Sequence, residues 1–120
     1  MRILVVDDSK AMRMIIIRTL RQAGYAGHEV EQATNGAEAL EAVEDARPDL
    51  ILCDWNMPEM SGMDLLHSLR ARGDQVPFGF VTSEGSEEMR DLAREAGAQF
   101  LLAKPFNADS LSEALESVLA

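Results

Sequence analysis

Asp49-Leu50-Ile51-Leu52-Cys53-Asp54, with Trp55-Asn56-Met57-Pro58 behind it, decides how this chain folds. Leu50 to Cys53 is an unbroken apolar run, too short for a helix, and it stops on an acid. A parallel strand covered on both faces reads this way, because neither of its sides alternates toward water. Asp54 then stands at the strand's carboxyl end, the edge where open α/β sheets place their ligand crevice.

On the N-terminal side, Ile3-Leu4-Val5-Val6 is a second run of the same kind, cut off by Asp7-Asp8-Ser9. Met12, Ile15, Ile16, Leu20 and Ala23 recur at helical spacing, and Gly24 stops that helix. Glu29 to Gln32, with Val30 between polar neighbours, reads as a short edge strand. Asn35-Gly-Ala-Glu38 has capping-box spacing and opens a helix to about residue 46, with Ala39, Leu40 and Val43 inward. Pro48 prevents its continuation.

On the C-terminal side, Trp55 to Gly62 is a loop, and Ser61-Gly-Met-Asp64 is a second capping-box pattern. The helix it opens runs through Leu65, Leu66 and Leu69. Phe78 to Thr82 is the fourth strand, Glu87 to Ala96 the fourth helix, closed by Gly97, and Phe100 to Ala103 the fifth strand. Lys104-Pro105-Phe106 leads into a last helix from about Asp109 to Leu119. Strict βα alternation implies a parallel sheet with right-handed crossovers and helices on both faces. The expectation is a single doubly wound (βα)5 domain of flavodoxin-like α/β class, in strand order 2-1-3-4-5.

Composition narrows the function classes. Eleven basic residues against 21 acidic give a net charge of −10. Direct nucleic-acid binding is disfavoured, because a duplex needs its phosphates neutralised by Lys and Arg. An acidic surface suits divalent cations or basic partner faces, although solubility is a simpler account of scattered acids. No apolar run approaches the roughly 20 residues of a membrane span, so no membrane insertion is expected. Cys53 is the single cysteine, which rules out an intrachain disulfide and fits a reducing cytoplasm.

In such a sheet Asp7-Asp8, Asp54, Thr82 and Lys104 converge at one edge. Each has a simpler role when taken alone: Asp8 or Ser9 as a helix cap, Thr82 as a strand end, Lys104 as a surface cation. Together they demand a reason, since two carboxylates 4 Å apart repel by roughly 4 kcal/mol at an effective dielectric near 20. Either a pKa rises or a cation binds. Mg2+ takes carboxylate oxygens, waters and a phosphate oxygen, so Asp8 and Asp54 are candidate ligands, with Asp7 acting through water. A backbone carbonyl just after Asp54 is available to complete the set. Asp54 is then the candidate nucleophile for a phosphoryl group, with Lys104 and Thr82 against its oxygens.

These residues resemble the receiver domain of bacterial two-component response regulators. Asp7-Asp8, Asp54, Thr82 and Lys104-Pro105-Phe106 stand at that family's spacing, and Asp54-Trp-Asn-Met-Pro-Glu-Met-Ser-Gly62 is similar to the stand-alone chemotaxis regulators. The resemblance covers essentially all of residues 1–120. It implies that Asp54 is the phosphoacceptor and that Asp8, Asp54 and the Asn56 carbonyl hold Mg2+, with Asp7 in the outer shell. It also implies a cis peptide at Pro105, and a donor that is a phosphohistidine on a sensor histidine kinase or phosphotransfer protein. The output face would comprise the fourth helix, fifth strand and last helix, and the loop after Thr82 would switch. Asn56 and Glu84 fall where the family tunes the lifetime of the phosphorylated state, and this pair implies a short one. Such a protein acts as a switch, catalysing only its own phosphorylation and dephosphorylation. It would be full-length, or the receiver portion of a longer DNA-binding regulator or hybrid kinase.

One position departs from the pattern. Three residues before Lys104 the family carries Tyr or Phe, and here it is Leu101. Phe100 is adjacent, but alternation points it to the opposite face, so either a bulge shifts the register or an aliphatic side chain serves. Three rival functions compete with the switch. An FMN carrier needs a Gly- and hydroxyl-rich phosphate loop where this chain has Asp7-Asp8. An aspartyl phosphatase places a second acid two residues after its nucleophile, where Asn56 stands. A receiver-like interaction domain that is never phosphorylated has no use for intact Asp54, Thr82 and Lys104, although Leu101 suits it.

Overall fold

The computed structural model describes residues 1–119. Strands β1 (Arg2–Val6), β2 (Glu29–Ala33), β3 (Leu50–Asp54), β4 (Phe78–Thr82) and β5 (Phe100–Ala103) form one parallel sheet, ordered β2-β1-β3-β4-β5. Helices α1 (Lys10–Leu20), α2 (Gly36–Asp45), α3 (Gly62–Ala71), α4 (Glu87–Glu95) and α5 (Ala108–Leu119) connect and follow them. The doubly wound α/β expectation holds, including the strand order. Among the described residues, no helix is long and apolar enough to cross a membrane.

Strand alternation explains the two apolar layers. Leu4, Val6, Ile51, Cys53, Phe78, Phe80 and Leu101 face α2, α3 and α4, while Ile3, Val5, Leu50, Leu52, Val81 and Leu102 face α1 and α5. Every residue of β3 is buried, which is why its sequence shows no polar alternation. β2 lies at the sheet edge, where Val30 is only half-buried.

Helix termini follow the local sequence with two adjustments. Ser61 and Asp64 form the expected reciprocal box, both hydrogen bonds at 3.1 Å. Asn35 caps α2 by accepting from the Glu38 N–H at 2.8 Å. The Glu38 carboxylate, however, turns back to the Thr34 N–H and hydroxyl instead of closing a box on Asn35. α1 ends at Leu20 and runs into a π-helical turn, Arg21–Tyr25, in which Gly24 takes φ 101°.

Ile15 corrects the reading of the first helix. It is 45% exposed, whereas Arg13 and Thr19 are buried. The Thr19 hydroxyl is satisfied by donating to the Ile15 carbonyl at 2.7 Å, so this polar side chain can sit inward.

Candidate phosphoacceptor site

Parallel register assembles the site. Val6 pairs with Cys53, Asp54 with Val81, and Thr82 with Ala103, so the ends of β1, β3, β4 and β5 lie side by side. Asp7 and Lys104 each stand one residue past a strand end. The Lys104 N–H donates to the Thr82 carbonyl at 2.7 Å, and the Lys104–Pro105 peptide is cis, as the resemblance implied.

Asp7, Asp8 and Asp54 each present an oxygen, and all three atoms lie within 4.8 Å of one another. Lys104 Nζ sits 3.7 Å from Asp54 Oδ1 and 3.8 Å from Asp7 Oδ2, long for hydrogen bonds but close for ion pairs. Asp7 and Asp54 are 1% and 8% exposed, while Asp8 opens to solvent. Burial pushes both buried carboxyls above the usual carboxylate value. Lys104 and the Asn56 and Trp55 N–H groups oppose that rise at Asp54, and Asp8 adds to it. At Asp7 the Ser9 N–H and Lys104 oppose it, while Asp54 and Asp8 add to it.

The donor set fits a hard divalent cation. One ammonium cannot offset three carboxylates at these separations, and every donor is oxygen. Asp7 Oδ1 accepts from the Ser9 N–H at 2.9 Å, but Oδ2 is buried with no hydrogen-bond partner. Lys104 Nζ, 3.8 Å away, is beyond hydrogen-bond reach of that oxygen, so its burial is only partly offset and a closer cation would stabilise it further. Ser9, accepting from Met12 N–H at 3.2 Å, is the cap of α1, so Asp8 remains free for other work.

Asn56 is exposed beside Asp54 and reaches it through its backbone N–H. Thr82 is fully buried, and its Oγ1 accepts from the Glu84 N–H at 3.3 Å. β4 and β5 pair without interruption, so no bulge brings Phe100 to the usual aromatic position. Leu101 is 7% exposed beside Phe80 and Ala93, and Phe100 packs on the other face of the sheet.

Three features of the site escape a reading of periodicity. Arg13 is 8% exposed and braces the loop after β1, donating from Nη1 to the Asp7 carbonyl at 2.8 Å and from Nε to Gln32 Oε1 at 2.9 Å. A side chain at Gly62 would bring its Cβ within 2.3 Å of the Asp54 carbonyl oxygen, so only glycine lets α3 begin there. Ile15, with Met12, Lys104, Pro105 and Phe106, lines an apolar cleft of about 330 Å³ at the lip of the site.

Comparison with known proteins agrees with this geometry. The family described as response regulator receiver domain matches residues 3–116. The chain is 43% identical to chemotaxis protein CheY1 of Helicobacter pylori J99 over 123 residues, covering 99% of this chain and 97% of that protein. It is 38% identical to response regulator MprA of Mycobacterium avium, of which it spans 51%. The crystallised chemotaxis protein CheY4 of Vibrio cholerae superposes with a TM-score of 0.85 at 38% identity, covering 98% of this chain and 97% of that one. With two-component chemotaxis regulators among its relatives and the acidic strand-tip site in place, this chain belongs to the response regulator receiver domain family.

Proposed function

We propose that the protein is a phosphorylation-activated switch in which Asp54 accepts a phosphoryl group from a histidine kinase or phosphotransfer protein. The carrying observation is a buried carboxylate at a strand tip, with an ammonium 3.7 Å away and two further carboxylates within 4.8 Å. An Asp54 carboxylate oxygen forms a bond to phosphorus as the phosphorus–nitrogen bond of phosphohistidine breaks, and the imidazole leaves with a proton from solvent. Lys104 faces the oxygens that carry the transferring charge, and the Thr82 hydroxyl donates to one of them. Asp8, Asp54 and the Asn56 carbonyl would hold Mg2+, with Asp7 in the outer shell. When bound, the ion neutralises charge on the phosphoryl oxygens.

The apolar lip formed by Met12, Ile15, Pro105 and Phe106 offers the donor protein a docking surface beside the nucleophile. The product places about two negative charges at the strand tip, and the face of α4, β5 and α5 carries that change to a downstream protein. In this reading the protein works in the cytoplasm and turns over only its own Asp54 adduct, with Asn56 and Glu84 keeping that adduct short-lived. Leu101 favours one alternative, an interaction domain that acts without phosphorylation.

The deciding experiment is intact mass after incubation with a small phosphodonor, with and without Mg2+, for wild type and Asp54→Asn. One phosphoryl increment, acid-stable and base-labile, dependent on Mg2+ and lost in the variant, supports the switch. No increment with any donor moves the function to the interaction domain.

A further inference from the structure

Leu101 leaves open how the site speaks to the output face, and the surrounding contacts answer that. Ser83 to Ser86, the loop after β4, is exposed throughout, yet it is tied at three points. The Glu84 N–H donates to Thr82 Oγ1 at 3.3 Å. Gly85 lies flat against β5, where an added Cβ would come within 2.7 Å of the Ala103 Cβ. Arg90, from the first turns of α4, donates from Nε to the Gly85 carbonyl at 3.3 Å and from Nη1 to the Leu101 carbonyl at 2.9 Å. One guanidinium thus joins the loop, the helix and the strand. Its two bonds are unequal: the β5 bond is of ordinary length, and the loop bond lies at the long limit.

We infer that Arg90 is the positioning residue that couples the loop after Thr82 to β5, a latch serving where the family uses an aromatic side chain. This rests on the phosphoacceptor reading above. Moving Thr82 Oγ1 toward a phosphoryl group at Asp54 draws Glu84 and Gly85 with it, because the loop hangs from that hydroxyl. The weak Nε bond to Gly85 breaks, and the stronger Nη1 bond keeps Arg90 on β5. The freed N–H then belongs to a helix that also carries Glu87, Glu88 and Asp91, and whose other arginine, Arg94, is already paired with Asp91. The Leu101 side chain then only fills its buried place, while its carbonyl anchors the latch. A planar fork is needed because two carbonyls on separate segments must be held at once.

The test titrates the full chain, in Mg2+, with beryllium fluoride as a mimic of the phosphoryl group. Wild type, Arg90→Gln and Arg90→Lys are compared by Trp55 fluorescence and by the amide resonances of residues 82–85 and 100–103. Wild type is expected to shift in both segments. Removing a contact that holds only the resting loop favours the bound state, so Arg90→Gln is expected to bind the mimic about fivefold more tightly. Its residues 100–103 should shift less than in wild type, and Arg90→Lys, which cannot span both carbonyls, should follow Gln. Unchanged affinity overturns the latch. So does weaker binding, the sign expected if Arg90 only supported α4. A wild type that shows no response at residues 82–85 overturns the phosphoacceptor reading, and the latch with it, a pattern distinct from a wild type that responds and variants that match it.

Discussion

Asp7 and Asp54 carry their charges at a cost that the fold alone does not remove. Burial raises both carboxyl pKa values above 3.8, so between that value and the raised one the folded chain holds protons the unfolded chain has lost. The stabilisation from that proton uptake is full at low pH and disappears as pH rises through the raised pKa. Without divalent ions, Asp54→Asn should therefore be more stable than wild type by about 1 kcal/mol at neutral pH, with the advantage shrinking on acidification. Mg2+ should remove the advantage at neutral pH, because it stabilises only a chain that binds it. Urea midpoints for both proteins across pH, with and without Mg2+, measure this. A variant that is less stable than wild type in metal-free buffer would mean the site is already neutralised from within.

The start of α3 ties helix stability to the site. Ser61 and Asp64 satisfy two of the helix's free N–H groups, and Ser61→Ala should cost about 1 kcal/mol in a thermal or urea melt. Gly62→Ala is a different kind of change, because the new methyl meets the Asp54 backbone carbonyl rather than a movable side chain. It should cost about 2 kcal/mol and also weaken Mg2+ binding, read through Trp55, since relief requires displacing either α3 or the Asp54 main chain. Ser61→Ala should leave Mg2+ affinity nearly unchanged. A Gly62→Ala protein that keeps wild-type affinity would show that α3 yields without moving Asp54.

The two apolar layers share one sheet, so the domain should open as a unit, and Cys53 reports on that opening. Its thiol is fully buried near the carboxyl end of β3, and burial together with Asp54 and Asp7 pushes its pKa well above the ordinary thiol value. Modification by a thiol reagent then requires exposure of β3, and in the regime of fast reclosing its rate follows the equilibrium between closed and open forms. Mg2+ at about 100 times its Kd should slow labelling by roughly 100-fold. Labelling that ignores Mg2+ would reveal a local opening that leaves the acidic edge intact.

The unbroken apolar run from Leu50 to Cys53, helical spacing elsewhere and the acids and lysine at strand ends were enough to determine the topology and to bring Asp7, Asp8, Asp54, Thr82 and Lys104 to one edge. Those features are local periods, and a parallel sheet turns strand ends into neighbours whatever the packing details. Alternation likewise sent Phe100 and Leu101 to opposite faces. Packing between separated segments decided the rest. Ile15 shares the helical spacing of Ile16, but it is exposed and lines the lip formed with the Lys104–Phe106 turn. Arg13 looks like a solvent-facing charge until the Asp7 carbonyl it satisfies arrives, and Arg90, though exposed, spans the Gly85 and Leu101 carbonyls of two separate segments. Gly62 reads as a turn former, yet its lack of a side chain is set by how closely α3 approaches Asp54. In each case the deciding quantity is a distance between elements, fixed only when the whole sheet and its helices close together.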